Sequence, residues 1–168
     1  MEAQTTLVTD PAALQQHFVH HLNRIYYGKS YLQQHFPSLI ALCSLKKLKQ
    51  GIQELVEDVS RQVERLHEIY RLIDMQPATE QNIPIIAVFK DAFEPKDDVV
   101  SNPLLTDIDI LLYLQLIEHI NVTSYRMLKV LAAKLGYKEV EQLLLESFDE
   151  ASDDYKLLSV IADEYISK

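Results

Sequence analysis

"GIQELVEDVSRQVERLHEIYRLI", residues 51–73, carries Ile52, Val56, Val59, Val63, Leu66, Tyr70 and Ile73 at alternating spacings of four and three. A helix gathers residues so spaced onto one face and turns the charged side chains between them outward. A strand would instead alternate every second residue, and the chain has no such run of note. The stripe reads as the seam of a helix bundle.

Outward from this segment the same period recurs. Ser44 is a plausible cap for the 51–73 helix. Upstream, a first helix opens at "TDPAAL", with Thr9 or Asp10 as cap and Pro11 in the first turn. It runs through "LQQHFVHHLNRIYYGKSYLQQHF", and Pro37 is expected to kink or interrupt it before "SLIAL". Downstream, "DMQPATEQNIP" (74–84) is a connection, "IPIIAVFKDAF" a short buried helix, and "EPKDDVVSNP" (94–103) a polar crossover. A third long helix is expected from about Leu104 to Leu135, ended by Gly136, the usual left-handed terminator. A fourth covers about Lys138 to Ile166, with Leu143, Leu144, Phe148, Leu157, Leu158 and Ile161 facing inward. The sum is an all-α fold: one domain over residues 1–168, a four-helix bundle with one crossover containing a short extra helix.

The composition narrows the function. Three glycines and six prolines in 168 residues argue against a loop-rich or all-β fold. No stretch approaches the ~20 apolar residues of a membrane span, and "MEAQTTLVTD" lacks the pattern of a signal peptide. Cys43 is the only cysteine, so no internal disulfide can form; a reducing cytoplasm is expected, with Cys43 serving packing between Leu42 and Leu45. A formal charge of −9 repels phosphate backbones, and Lys46, Lys47 and Lys49 read as a solvated face, so no nucleic-acid partner is expected.

Gly-rich phosphate loops, a nucleophile elbow, CxxC pairs and an HExxH zinc helix are all missing. His17 and His21 lie four apart but lack a third ligand and read as surface residues, while His35 and His67 are isolated. What remains is carboxylates inside a bundle, the donor type that di-iron proteins of this architecture use. Glu57, Glu118, Glu150 and Asp153 are the candidates. Glu57 sits well off the apolar stripe, whereas Glu118 is crowded by Leu114, Ile117 and Val122.

From Arg24 to Ile161 the chain resembles the YciE/YciF-like proteins of the ferritin-like superfamily, a family of unknown function. The most specific match is "LIEHINVTSYRMLKVLAAKLGY" (116–137), similar to that family's Glu-His-Tyr-Glu helix and its closing Leu-Gly. "QVERL" (62–66) and "LLLESFDEASDDYKLLSVIA" (143–162) resemble its second and fourth helices more loosely. The resemblance implies a ferritin-like four-helix bundle, a homodimer, and core carboxylates arranged much as in a di-iron protein.

Several positions depart from that pattern. Lys29 in "YYGKSYL" (26–32) occupies the place of the first-helix glutamate. The family's second-helix histidines fall near Leu55 and Ser60. Glu118 and His119 are kept, but the following glutamate is Asn121; Glu150 is kept, while an aspartate further along becomes Tyr155. No metal is therefore expected, and Glu57, Glu118, His119, Glu150 and Asp153 are vestigial candidates. Lys29 is expected to supply the missing positive charge by pairing with Glu118 or Glu150 in the core. The expectation is a non-catalytic structural or interaction protein with no cofactor; an atypical iron-binding protein using the remaining core carboxylates is the alternative.

Overall fold

The computed structural model describes residues 10–94 and 103–167. Five helices follow one another: α1 (Pro11–Leu42), α2 (Lys46–Leu72), α3 (Pro84–Phe93), α4 (Pro103–Leu135) and α5 (Lys138–Ile166). The four long ones form a ring in which α1 packs on α2 and α4, and α5 packs on α2 and α4. Cross-helix partners fix the directions. Lys47 meets Glu164 and Arg65 meets Glu150, so α2 and α5 are antiparallel. Asp107 near the start of α4 reaches Ser44 just beyond the end of α1, so these two are antiparallel as well. The α2-to-α4 connection must return along the bundle, and α3 lies in it, packed against α1 and α4.

Asp10 caps α1 by accepting from the Ala12 amide at 3.1 Å, and Pro11 takes the first helical position. Of the kink or interruption expected at Pro37, the interruption does not occur: α1 continues to Leu42. A proline forfeits one backbone hydrogen bond, and Phe36 and Leu39 on either side of it, both buried in the core, hold the helix together across the gap. The N-cap of α2 is Leu45 rather than Ser44, with no side-chain cap of its own. Asp107 of α4 does the capping across the bundle instead. Its buried carboxylate accepts from the amides of Ser44 (2.9 Å) and Leu45 (3.0 Å) and from the Ser44 hydroxyl.

Gly136, at φ +75°, ends α4 as expected. Its amide donates to Ala133 and that of Tyr137 to Ala132, the paired bonds of a Schellman terminus. Gly28 serves another purpose: a Cβ there would lie 2.9 Å from Cδ1 of Ile85, so the missing side chain lets α3 close on α1. The 74–83 connection is tied to α1 by Asn23, which accepts from Tyr70 (2.6 Å) and the Ala78 amide (3.2 Å). Arg24 adds bonds to the carbonyls of Gln81 and Asn82. The expected crossover 94–103 lies outside the described residues except at its two ends.

The interior is two apolar clusters. One contains Leu32, Leu55, Val59, Ile117 and Leu158; the other contains Phe18, Ile25, Leu66, Tyr125 and Ala151. Each long helix passes from one cluster to the other through a polar residue: Lys29 on α1, Gln62 on α2, Glu118 and Asn121 on α4, Asp154 on α5. These residues form a polar waist at mid-bundle.

Candidate functional site: the polar waist of the bundle

Lys29 lies between Ile25 and Leu32 on the inward face of α1, which puts its side chain in the bundle centre with no exposure. Its Nζ is 3.9 Å from Oε2 of Glu118, a carboxylate that is equally sealed from solvent. That oxygen also accepts from the Asn121 amide at 3.1 Å, one helical turn along α4. The Lys29 ammonium sits 5.7 Å above the ring of Tyr125, within cation–π range. Tyr125 in turn donates to Gln62 at 3.1 Å, which joins α2 to the network. Five buried side-chain atoms here have no hydrogen-bond partner among the described residues: Lys29 Nζ, Gln62 Nε2, Glu118 Oε1, Asn121 Oδ1 and Asp154 Oδ2.

Burial governs the charges. Desolvation lowers the pKa of Lys29, opposed by Glu118, then Asp154 and Glu150. Asp154 is pushed up to about 8, first by burial and then by the Glu118 carboxylate, with Lys29 pulling the other way. At neutral pH Asp154 is therefore mostly a neutral acid.

The sequence candidates are scattered over the bundle. Glu118 is in the waist. Glu150 is half-buried at its edge and is held by Arg65 through two bonds (2.7 and 2.8 Å) and by Arg61 at 3.2 Å, so it is not the partner of Lys29. Arg65 and Arg61 together hold the Glu150 carboxyl below its usual range against the opposing effect of burial. Glu57 is exposed, and so is His119, whose ring leans on Tyr155 at 5.6 Å. Asp153 is exposed and paired with Lys156 at 3.0 Å; the buried acid is its neighbour Asp154. Cys43 is buried and donates to the Leu39 carbonyl, its thiol pushed up to about 11 by burial and by Asp107.

Two irons would need several anionic oxygens completed by imidazoles. The waist offers Glu118 and a mostly neutral Asp154, and its remaining groups are two amides, a phenol and an ammonium. On α2, Leu55 is apolar core, and the Ser60 hydroxyl donates to the Val56 carbonyl. No group of three or more His, Cys, Asp or Glu side chains among the described residues is placed to hold a metal ion. These residues do not fit a di-iron centre.

Asp154 and Gln62 were not singled out from the sequence. Asp154 lies on the buried stripe of Leu144, Ser147, Ala151, Leu158 and Ile161, spaced three and four apart.

Residues 13–168 match a single family, described as a domain of unknown function, DUF892. The chain belongs to the DUF892 family. Protein YciF of Escherichia coli (strain K12) is 26% identical to this chain over 148 residues, 83% of this chain and 85% of that protein. The crystal structure of the E. coli stress protein YciF superposes with a TM-score of 0.85 at 23% identity, covering 92% of this chain and 98% of that one. YcfI from Rhodopseudomonas palustris, provisionally described as a structural protein, gives 0.81 at 21% identity, covering 95% and 98%. The chain thus shares its helical architecture with both of these proteins. Among the described residues no helix is long and apolar enough to cross a membrane.

Proposed function

We propose that this chain is a non-catalytic, ferritin-like member of its family, in which Lys29 takes the place of metal at the centre of a degenerate di-iron site. It serves a structural or interaction role in the cytoplasm as a homodimer. The observation that carries this reading is the Lys29 ammonium, fully buried 3.9 Å from Glu118 where an iron-binding bundle would need anionic ligands. Glu150, the other retained glutamate, is already neutralised by two arginines. The stress-protein name of the E. coli relative and the structural description of the R. palustris one favour a role of this kind in a stress response. An exposed apolar stripe on α4, formed by Leu112, Leu116, Met127 and Val130, supports self-association.

The test is anaerobic incubation with ferrous iron, desalting and elemental analysis. Well under one iron per chain is expected. Two irons per chain would replace this reading with the alternative, an atypical iron-binding protein using the remaining core carboxylates.

A further inference from the structure

Away from the waist, an apolar groove of about 580 Å³ runs between α1, α3 and α4. That size falls in the range of roughly 300–1,000 Å³ typical of sites for small organic ligands. Leu14 and Ile25 line it from α1, Ile85 from α3, and Leu128 and Leu131 from α4.

Its polar lining has one sign. His17, His21 and Arg24 border it along α1, Thr123 and Ser124 add hydroxyls from α4, and the lining contains no carboxylate. This is unexpected in a chain of net charge −9. The Arg24 guanidinium is fixed in place by bonds to two neutral carbonyls, Gln81 and Asn82, neither of which offsets its charge. Glu80 is the nearby acid, and it is engaged with His20 at 3.0 Å. The pKa of His21 is lowered first by burial and then by His20, Arg24 and His17, with only Glu80 opposing. At pH 7 the fixed positive charge of the rim is therefore that of Arg24, with the imidazoles as neutral hydrogen-bonding groups beside it.

We propose that this groove binds a free long-chain fatty acid, its hydrocarbon chain between α1, α3 and α4 and its carboxylate at the Arg24–His17–His21 rim. An apolar trough with the Arg24 guanidinium and two imidazoles on one edge matches a single-chain anionic amphiphile. A neutral lipid would leave the rim charge unanswered. The proposal is independent of the charge arrangement in the waist, and its outcome does not depend on iron content.

The test is a fluorescence titration of the full chain at pH 7 with cis-parinaric acid, an 18-carbon fatty acid, below its micelle concentration. Saturation at one molecule per chain is expected, with a dissociation constant on the order of micromolar. The methyl ester should bind at least about tenfold more weakly, and so should the acid to Arg24→Gln. Saturated acids competing for the groove should tighten by roughly fourfold per added methylene until it is filled. Ser124→Trp and the more exposed Thr123→Trp, each with an unchanged melting temperature, should abolish binding by filling the trough.

Absence of saturable binding would overturn the proposal. Equal affinity for acid and ester, or binding unaffected by both tryptophans, would do the same. A shift from dimer to monomer caused by the tryptophans and not by fatty acid would assign the groove to a second copy of the chain instead.

Discussion

Replacing Lys29 by Met removes a charge and leaves a side chain of similar length to fill the space. Nothing else in the bundle centre changes, and Glu118 keeps the bond from the Asn121 amide but loses the facing ammonium. Stranding one member of a buried ion pair typically costs about 3–5 kcal/mol. Proton uptake limits the damage. Holding an ordinary glutamic acid neutral at pH 7 costs about 3.7 kcal/mol, at roughly 1.36 kcal/mol for each pH unit above a usual value near 4.3. By the same arithmetic the cost at pH 5 is only about 1 kcal/mol. The variant is therefore expected to lose about 3–4 kcal/mol of unfolding free energy at pH 7 and about 1 kcal/mol at pH 5. Urea titrations followed by circular dichroism at both pH values, at one protein concentration, read this directly. A packing defect alone would cost the same at both. Adding Glu118→Gln to the variant should restore more than half of the loss at pH 7, since no carboxylate is then stranded. A neutral or stabilised Lys29→Met at pH 7 would refute the view that the lysine balances the core carboxylate.

Asp154 gives a second pH signature. Its folded pKa of about 8 lies above the usual value near 4, so folding takes up a proton between those limits and stability falls as pH rises through them, levelling off above. Asp154→Asn should remove that slope, matching the parent chain near pH 4 and exceeding it by a few kcal/mol at pH 8 in the same urea assay. Asp107→Ala should cost about 1–3 kcal/mol, since it frees the amides of Ser44 and Leu45 at the start of α2; a drop of several degrees in melting temperature is the readout.

The apolar periodicity of α2 and the Leu-Gly ending of α4 were enough to read the bundle, because both are local signals. Other features depended on contacts that the local pattern does not encode. Pro37 is compatible with an unbroken helix only because its neighbours are anchored by the core. Ser44 looked like a cap by residue type, but its own hydroxyl is bound by Asp107, which lies 63 residues away in the chain. In the site, Glu118 could be read because leucine and isoleucine crowd it on both sides. On α5 the choice fell on Asp153 rather than Asp154, since Ser147 and Ala151 thin the inward stripe that would have separated the two adjacent acids. The partner of Lys29 could be narrowed to two glutamates, but Arg61 and Arg65 on α2 are what remove Glu150 from contention.

The placement of the polar residues also bears on why a bundle of this kind tolerates them. Lys29, Gln62, Glu118 with Asn121, and Asp154 each sit at the boundary between the two apolar clusters. Sliding α1 by one turn against α4 would bring the lysine level with Leu114 or Val122 and leave Glu118 facing apolar side chains. Such a slip exchanges one leucine contact for another elsewhere along the seam at little cost, so the apolar clusters alone specify register weakly. The charged waist specifies it strongly, because an unpaired buried charge costs several kcal/mol. A lysine–glutamate pair with unpartnered atoms adds little net stability, yet it selects one alignment of four long helices over its neighbours.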